Sequence, residues 1–451
     1  MIAPARAAAF TALRDVNAGR ADLPAALAAV RPTLQDERDR ALTNDLVTGT
    51  LRWQRQLDYL IEHFSKRPLS KLDFEVLQIL RLGAYQLLHL DRVPASAAVN
   101  DAVAMTRRAR KTSAAGLVNA VLRAISRNAH RLPLPLRPPA GDPLPYLEVA
   151  LSHPAWLASR WMARYGFDGA EAWEQFNNIP PPLSLRVNRL KTDRDSLVQA
   201  LAGHGVIVEP ARFAPDGLTV TSGNPLRTAL AGTGQFVLQD EASQLVALLG
   251  APEAGMRVLD TCASPGGKTT AMAAMAEDRA EIVAADVRGP RVQLLRETVS
   301  ASGAQHVRVV QADLEAGLPF GPAFDVVFVD APCSGLGTVR RDPDIRWRRA
   351  ENDLAPLASA QLTMLRHAAE AVRDGGRLVY ATCSSEPEEN DGVVASFLAG
   401  NSDFTKVDLR ADKPAHFDAL DPVIDQSGVL RTSPREHGLE AFYGAVLRRV
   451  K

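Results

Sequence analysis

From about Gly255 onward, short β-rich runs at 257–260, 281–285, 307–311, 324–330 and 377–383 alternate with helical stretches. Such alternation predicts a doubly wound, mostly parallel α/β sheet, whose ligands bind outside the carboxyl ends of the strands. The chain's three cysteines, Cys262, Cys333 and Cys383, each fall at or just past one of those ends. An odd number of cysteines so widely spaced is no disulfide framework, and a reducing compartment, the cytoplasm, is the expectation. No metal-ligand set is assigned.

The 451 residues leave room for roughly three domains. Six prolines between Arg131 and Tyr146 (Pro133, Pro135, Pro138, Pro139, Pro143 and Pro145) cannot propagate helix or central strand and mark a boundary. The expected order is an all-helical domain at 1–135, a Pro-rich linker at 136–150, a small α+β module at 151–240 and the α/β domain at 241–451. Within the first, Val76, Leu77, Ile79, Leu80, Leu82, Ala84, Leu87 and Leu88 make a helix apolar on nearly every side, as befits the centre of a bundle. The middle module reads as a helix near 154–165, a break at Pro180, Pro181 and Pro182, a strand through Leu183, Leu185 and Val187, a helix at 193–204 and a strand at 206–208. No apolar run approaches the roughly 18 residues of a membrane span, and residues 1–20 lack a secretory core.

Basic and acidic residues number 52 each, so the chain as a whole is no uniformly basic binder of nucleic acid. The balance is a cancellation: 21 basic and 14 acidic residues in 1–150, 8 and 8 in 151–240, 23 and 30 in 241–451. The basic excess concentrates between Arg92 and Arg131, around Arg107, Arg108, Arg110 and Lys111. Such a run is commonly just a solvated face; beside an enzyme of nucleic acid it becomes a docking surface.

The first β-rich run of the α/β domain enters Asp260-Thr261-Cys262-Ala263-Ser264-Pro265-Gly266-Gly267-Lys268-Thr269 and then a helix. A glycine turn between strand and helix lets backbone approach a ligand. A phosphate-binding loop would need glycine at 262, where cysteine stands, so a nucleoside triphosphate is disfavoured. Asp286 follows the second run, 19 residues past Gly267, where a ribose-binding carboxylate belongs. Asp313, after the third, is placed to meet the base. No G-x-G-x-x-G occurs, which favours a small adenosine ligand over a dinucleotide.

In a wound sheet the first, fourth and fifth strands lie side by side, so Asp330, Cys333 and Cys383 are expected to converge near that ligand. Methylation at carbon 5 of a pyrimidine needs such a set. Carbon 5 becomes nucleophilic only after a thiolate has added to carbon 6, and a carboxyl on the cytosine edge stabilises the developing charge. The methyl donor would be S-adenosylmethionine, and a second thiol would assist release. Spacing alone does not say which cysteine attacks.

Asp260 to Thr269, Asp330-Ala331-Pro332-Cys333-Ser334 and Thr382-Cys383-Ser384 resemble the motifs of the RNA cytosine-5 methyltransferases of the Nol1/Nop2/Sun (Fmu) family. The resemblance implies a Rossmann-like class I methyltransferase domain with Cys383 as nucleophile and Cys333 as the releasing thiol. It further implies cofactor contacts from Cys262, Ala263, Ser264, Pro265, Gly266, Gly267, Lys268, Asp286, Asp313 and Asp330, with Lys268 and Asp330 reaching toward the cytosine. Residues 98–103 and 116–122 resemble the RNA-binding domain of the antitermination factor NusB. Joined to this catalytic domain, that arrangement is similar to bacterial family members acting on 16S rRNA, in which the middle region is implied to be a degenerate RNA-recognition fold. The expected enzyme is a monomer whose partner is 16S rRNA. A non-catalytic RNA-binding or assembly factor, and a cytosine-5 methyltransferase of another RNA or of DNA, are the alternatives.

Residues 337–349 carry five arginines against two aspartates. Arg340, Arg341 and Arg346, with Trp347 as a stacking face, are candidates for holding single-stranded RNA; inward packing of Trp347 is the competing reading. Residues 385–389 read as the capped, acidic start of a helix.

Overall fold

Helices fill the first third of the chain where carboxylates precede apolar runs: Asp22, Asp36 and Asp73 each accept a hydrogen bond from a first-turn amide. The computed structural model describes residues 2–413 and 418–450, and the chain divides into two compact units, 1–180 with 339–351, and 181–338 with 352–451. The first contains α1 (Pro4–Asn17), α2 (Leu23–Val30), α3 (Glu37–Arg52), α4 (Gln54–Ser65), α5 (Phe74–His89), α6 (Ala95–Arg108), α7 (Ala115–Arg127) and α8 (Ala155–Asn178). Helix α5 is the buried centre expected of it and touches α1, α3, α4, α6 and α7. Its one buried cation, Arg81, is matched by two hydrogen bonds to Asp58 at 2.6 and 2.7 Å. Residues 131–143 carry neither helix nor strand, as the prolines dictate. The span labelled α8 is two helices joined at a kink: Gly166 (φ 70°, ψ 176°) is non-helical, so the first ends at Tyr165 as expected and a second, not expected, runs on to Asn178.

The second unit opens with an antiparallel sheet of order β2-β3-β1-β4, formed by β1 (Ser184–Val187), β2 (Ile207–Pro210), β3 (Gly217–Ser222) and β4 (Phe236–Leu238). Helix α9 (Arg194–Gly203) joins β1 to β2, and α10 (Glu241–Leu248) follows β4. The catalytic-type sheet then builds from β5 (Arg257–Asp260), β6 (Glu281–Asp286), β7 (Val307–Gln311) and β8 (Phe324–Asp330), with α11 (Gly267–Met275) and α12 (Gly289–Ser302) as crossovers. After Thr338 the chain contributes α13 (Ile345–Arg348) to the first unit. It returns as α14 (Leu354–Glu370), β9 (Val372–Thr382), α15 (Asp391–Ala399), β10 (Phe404–Lys406), β11 (Leu430–Arg431), α16 (Pro434–His437) and β12 (Tyr443–Arg449).

Strand order is β10-β12-β9-β8-β5-β6-β7, with β11 paired to β12. The run from β9 to β7 is parallel, and β12 is antiparallel to β9. The fourth and fifth strands of the parallel set therefore do flank the first. Register pairs Asp260 with Phe328 and Asp330 with Ala381, which brings three loop openings to one edge. Residues 385–389 are not the first turn of a helix: α15 starts at Asp391, and Glu386 and Glu389 are wholly buried.

Candidate active site

The turn after β5 is laced to its neighbours by backbone. Thr261 N–H donates to Phe328 O at 3.0 Å, Ala263 N–H to Ala285 O at 2.9 Å, and Ser264 N–H to Asp286 Oδ2 at 3.3 Å. Gly266 sits at φ 106°, a left-handed conformation that a residue bearing a Cβ adopts only under strain, so the turn favours glycine there. Asp286, buried at the end of β6, also receives Arg288 N–H and lies 3.3 Å from the Arg291 guanidinium. Asp313 is exposed and bonds the Glu315 N–H of its own turn.

Asp260 is buried beneath this turn. Its Oδ2 accepts from Thr269 Oγ1 at 2.6 Å, while Oδ1 has no hydrogen-bond partner. Burial pushes its carboxyl up to about 7, against the Thr269 hydrogen bond. Burial likewise raises the Cys262 thiol, with Asp330 and Asp260 adding to the effect, so Cys262 stays protonated and packs against the apolar cluster around Leu259 and Val327.

Lys268, in the first turn of α11, pairs with Asp330 at 2.6 Å. Burial alone would lower the lysine, but Asp330 more than offsets this and holds it above its ordinary range. Its ammonium lies 5.8 Å from the Phe442 ring centroid. The Cys333 and Cys383 sulfurs are 3.3 Å apart, and none of the three cysteines is in a disulfide. The hydrogen bond with Cys383, then burial, pushes the Cys333 thiol well above the usual range, which keeps it protonated. The site thus offers a thiol pair, a lysine–carboxylate pair and a glycine cradle at the carboxyl ends of adjacent strands.

Three supporting residues escaped the sequence reading. Arg186 of β1 is buried and donates to Thr270 Oγ1 at 2.8 Å, to Gly267 O at 3.2 Å and to Gln239 Oε1 at 2.7 Å, bracing the start of α11 from the antiparallel sheet. Gly337 N–H donates to Cys383 O at 3.0 Å, and a Cβ there would meet that oxygen at 2.8 Å and Ala441 O at 1.9 Å. Asn390 accepts from Thr382 Oγ1 at 2.5 Å and donates to Ser384 O at 2.9 Å, gripping the chain on both sides of Cys383. For Asn390 the available signal was the polar run Glu388-Glu389-Asn390 shortly after a strand end.

The RNA-facing candidates divide. Arg107, Arg108 and Arg110 are exposed at the end of α6, whereas Lys111 is ion-paired with Asp73 and, at 3.8 Å, with Glu75. In the other stretch the expectation is corrected. Arg346 is wholly buried and donates to Ser152 O at 3.0 Å and Asn178 Oδ1 at 3.1 Å; desolvation lowers it to about 9. Trp347 packs on the helical core and donates its indole N–H to Leu51 O at 2.6 Å. Arg340 donates to Ile179 O and Pro180 O, its guanidinium 4.2 Å from the Phe176 ring centroid, and Arg341 is half-buried. Arg346 and Trp347 hold the segment in place and face no solvent groove.

Comparison with known proteins gives consistent assignments. A family model described as 16S rRNA methyltransferase RsmB/F matches residues 247–448; the NusB family matches 3–127, and a methyltransferase RsmF/B-like, ferredoxin-like domain matches 153–227. The chain is 35% identical over 415 residues to the probable ribosomal RNA small subunit methyltransferase B of Bacillus subtilis (strain 168), covering 92% of this chain and 91% of that protein. It is 34% identical over 452 residues to the ribosomal RNA small subunit methyltransferase B of Pseudomonas putida, covering 99% and 98%. Among solved structures, PH0851 superposes with a TM-score of 0.82 at 25% identity, covering 100% of this chain and 99% of that one.

Proposed function

Because the chain belongs to the 16S rRNA methyltransferase RsmB/F family, we propose that it methylates carbon 5 of a cytosine in 16S rRNA through a covalent adduct of Cys383 at carbon 6. The observation that carries this reading is the 3.3 Å thiol pair beside the Lys268–Asp330 pair. A methyltransferase that neither formed nor released a thiol adduct would have no use for two sulfurs in contact at its cofactor edge.

S-adenosylmethionine supplies the electrophilic methyl group. The residues present fit it: Asp286 offers a carboxylate for ribose hydroxyls at a strand end, and Asp260 holds an unpartnered buried oxygen under the turn. Cys262 to Lys268, Asp286, Asp313 and Asp330 would hold the cofactor. The Cys383 thiolate adds to carbon 6, and Asp330, kept in place by Lys268, hydrogen-bonds the cytosine edge and stabilises the charge that develops there. Carbon 5 then takes the methyl group. Loss of the carbon 5 proton to a base re-forms the double bond and expels the Cys383 sulfur, and the Cys333 S–H, already hydrogen-bonded to it, stabilises the departing thiolate.

Residues 1–135 carry RNA docking, with Arg107, Arg108 and Arg110 on its exposed basic face, and residues 241–451 carry the chemistry. No helix among the described residues is long and apolar enough to cross a membrane. The working unit in this reading is a cytoplasmic monomer. Incubation of unmodified 16S rRNA with radiolabelled S-adenosylmethionine tests the whole. The wild-type protein labels cytosine, Cys383→Ala labels nothing, and Cys333→Ala leaves a protein–RNA adduct on a denaturing gel. Equal loss in both variants without adduct sinks the role assignment. RNA binding without label supports the assembly factor, and label in DNA the DNA enzyme.

A further inference from the structure

We propose that Glu389 is a positioning residue that clamps the loops after β8 and β9 together and thereby keeps Cys333 and Cys383 in contact; the inference rests on the roles given to those cysteines above. Glu389 is wholly buried, and its carboxylate binds the residue that follows each thiol. Its Oε1 accepts from Ser334 N–H at 2.8 Å and Gln361 Nε2 at 2.9 Å; its Oε2 accepts from Ser334 Oγ and Ser384 Oγ, both at 2.5 Å. Ser334 follows Cys333 and Ser384 follows Cys383, so one carboxylate is tied to the residue after each thiol.

An ionised carboxylate has about four acceptor positions, and here four donors take them. Gln361 also donates to Pro332 O at 3.0 Å, which secures the residue before Cys333. Tyr380 in β9 donates its hydroxyl to Glu389 O at 2.6 Å, fixing the clamp to the strand that leads to Cys383. The sheet register between β8 and β9 ends at Asp330 and Ala381. Beyond that pair, strand hydrogen bonds no longer set the distance between the two loops; the Glu389 cross-tie does so, together with the direct Ser334 Oγ–Ser384 Oγ contact at 3.1 Å and the Gly337 N–H bond to Cys383 O at 3.0 Å. Its length matters more than its charge, since an aspartate in its place falls a methylene short of one serine or the other.

The test reads thiol proximity without RNA. The protein is equilibrated in reduced and oxidised glutathione, and the Cys333–Cys383 disulfide is quantified by mass spectrometry as glutathione disulfide is reduced to the thiol. Glu389→Asp is expected to lower the equilibrium constant for that disulfide at least tenfold, about 30 mV for a two-electron couple. Ser334→Ala and Ser384→Ala each remove one hydroxyl and give smaller falls in the same direction, which keeps the proposal testable if the aspartate variant does not fold. Glu389→Gln preserves the length and restores most of the loss. In turnover, Glu389→Asp lowers kcat, leaves KM for RNA unchanged and accumulates adduct. A folded Glu389→Asp protein with an unchanged equilibrium constant, or both alanine variants at the wild-type value, overturns the proposal. If the constant falls as expected while the wild-type protein never forms an RNA adduct, the clamp stands and the adduct chemistry fails.

Discussion

Asp260 accepts one hydrogen bond and leaves its other oxygen unpartnered in a site closed to water, so the protein has kept there a carboxyl it is costly to ionise. The group's folded value of about 7 lies above the ordinary 3.8. Its protonated form is therefore the one the fold favours: the associated stability is complete below about pH 4 and is lost as the pH rises toward 7. Each pH unit between the two values corresponds to about 1.4 kcal/mol. Urea unfolding of the ligand-free protein across that window should show the decline, and Asp260→Asn, which keeps an oxygen for Thr269, should flatten it. An equally steep decline in the variant would assign the effect elsewhere. The sequence made Asp260 visible as the start of a motif, because motif residues are contiguous. Nothing local announced that one of its oxygens lacks a partner, or that Glu389 is buried: both depend on what other strands bring to the spot.

Elements expose the same difference between local and distant information. The end of α6 presents Arg107, Arg108 and Arg110 to solvent, while Lys111 is neutralised by Asp73 and Glu75, which precede and begin α5. Replacing the three arginines by alanine should weaken 16S rRNA binding and reduce the slope of log affinity against log salt by about 2 to 3, at roughly 0.7 to 0.9 per phosphate contact. Lys111→Ala should change the slope least, and cofactor affinity should not move; filter binding at several salt concentrations reads all of these. The second arginine-rich stretch had the same composition, yet α13 turns Arg346 and Trp347 into the helical unit. A count of charges cannot see that Ser152 O, Asn178 Oδ1 and Leu51 O, from three separate segments, are waiting for those donors.

For the molecule as a whole, periodicity was informative where the pattern was regular. All five expected strands of the parallel set occur, and the adjacency that joins the two cysteine loops follows from their order. Strands β10 and β12 were missed: β12 runs antiparallel between β9 and β10, and its apolar residues Tyr443, Ala445, Val446 and Leu447 are buried without alternating with polar ones. Also unforeseen was that 339–351 belongs with 1–180. In the full chain, Arg346→Met should destabilise that unit by about 1–3 kcal/mol for each acceptor left without its donor, Ser152 O and Asn178 Oδ1. Calorimetry should then show the first unit melting ahead of the second, with the salt dependence of RNA binding unaltered.

The discontinuous first unit also imposes a schedule on biosynthesis. Its amino-terminal portion is synthesised through Pro180, but the segment that supplies Arg346 and Trp347 is not complete until Glu351. At roughly 5–20 residues per second, a ribosome spends on the order of ten to thirty seconds between those points. During that interval the nascent bundle has Leu51 O, Ser152 O and Asn178 Oδ1 without their donors, so its last stabilising contacts form only when most of the protein has been translated.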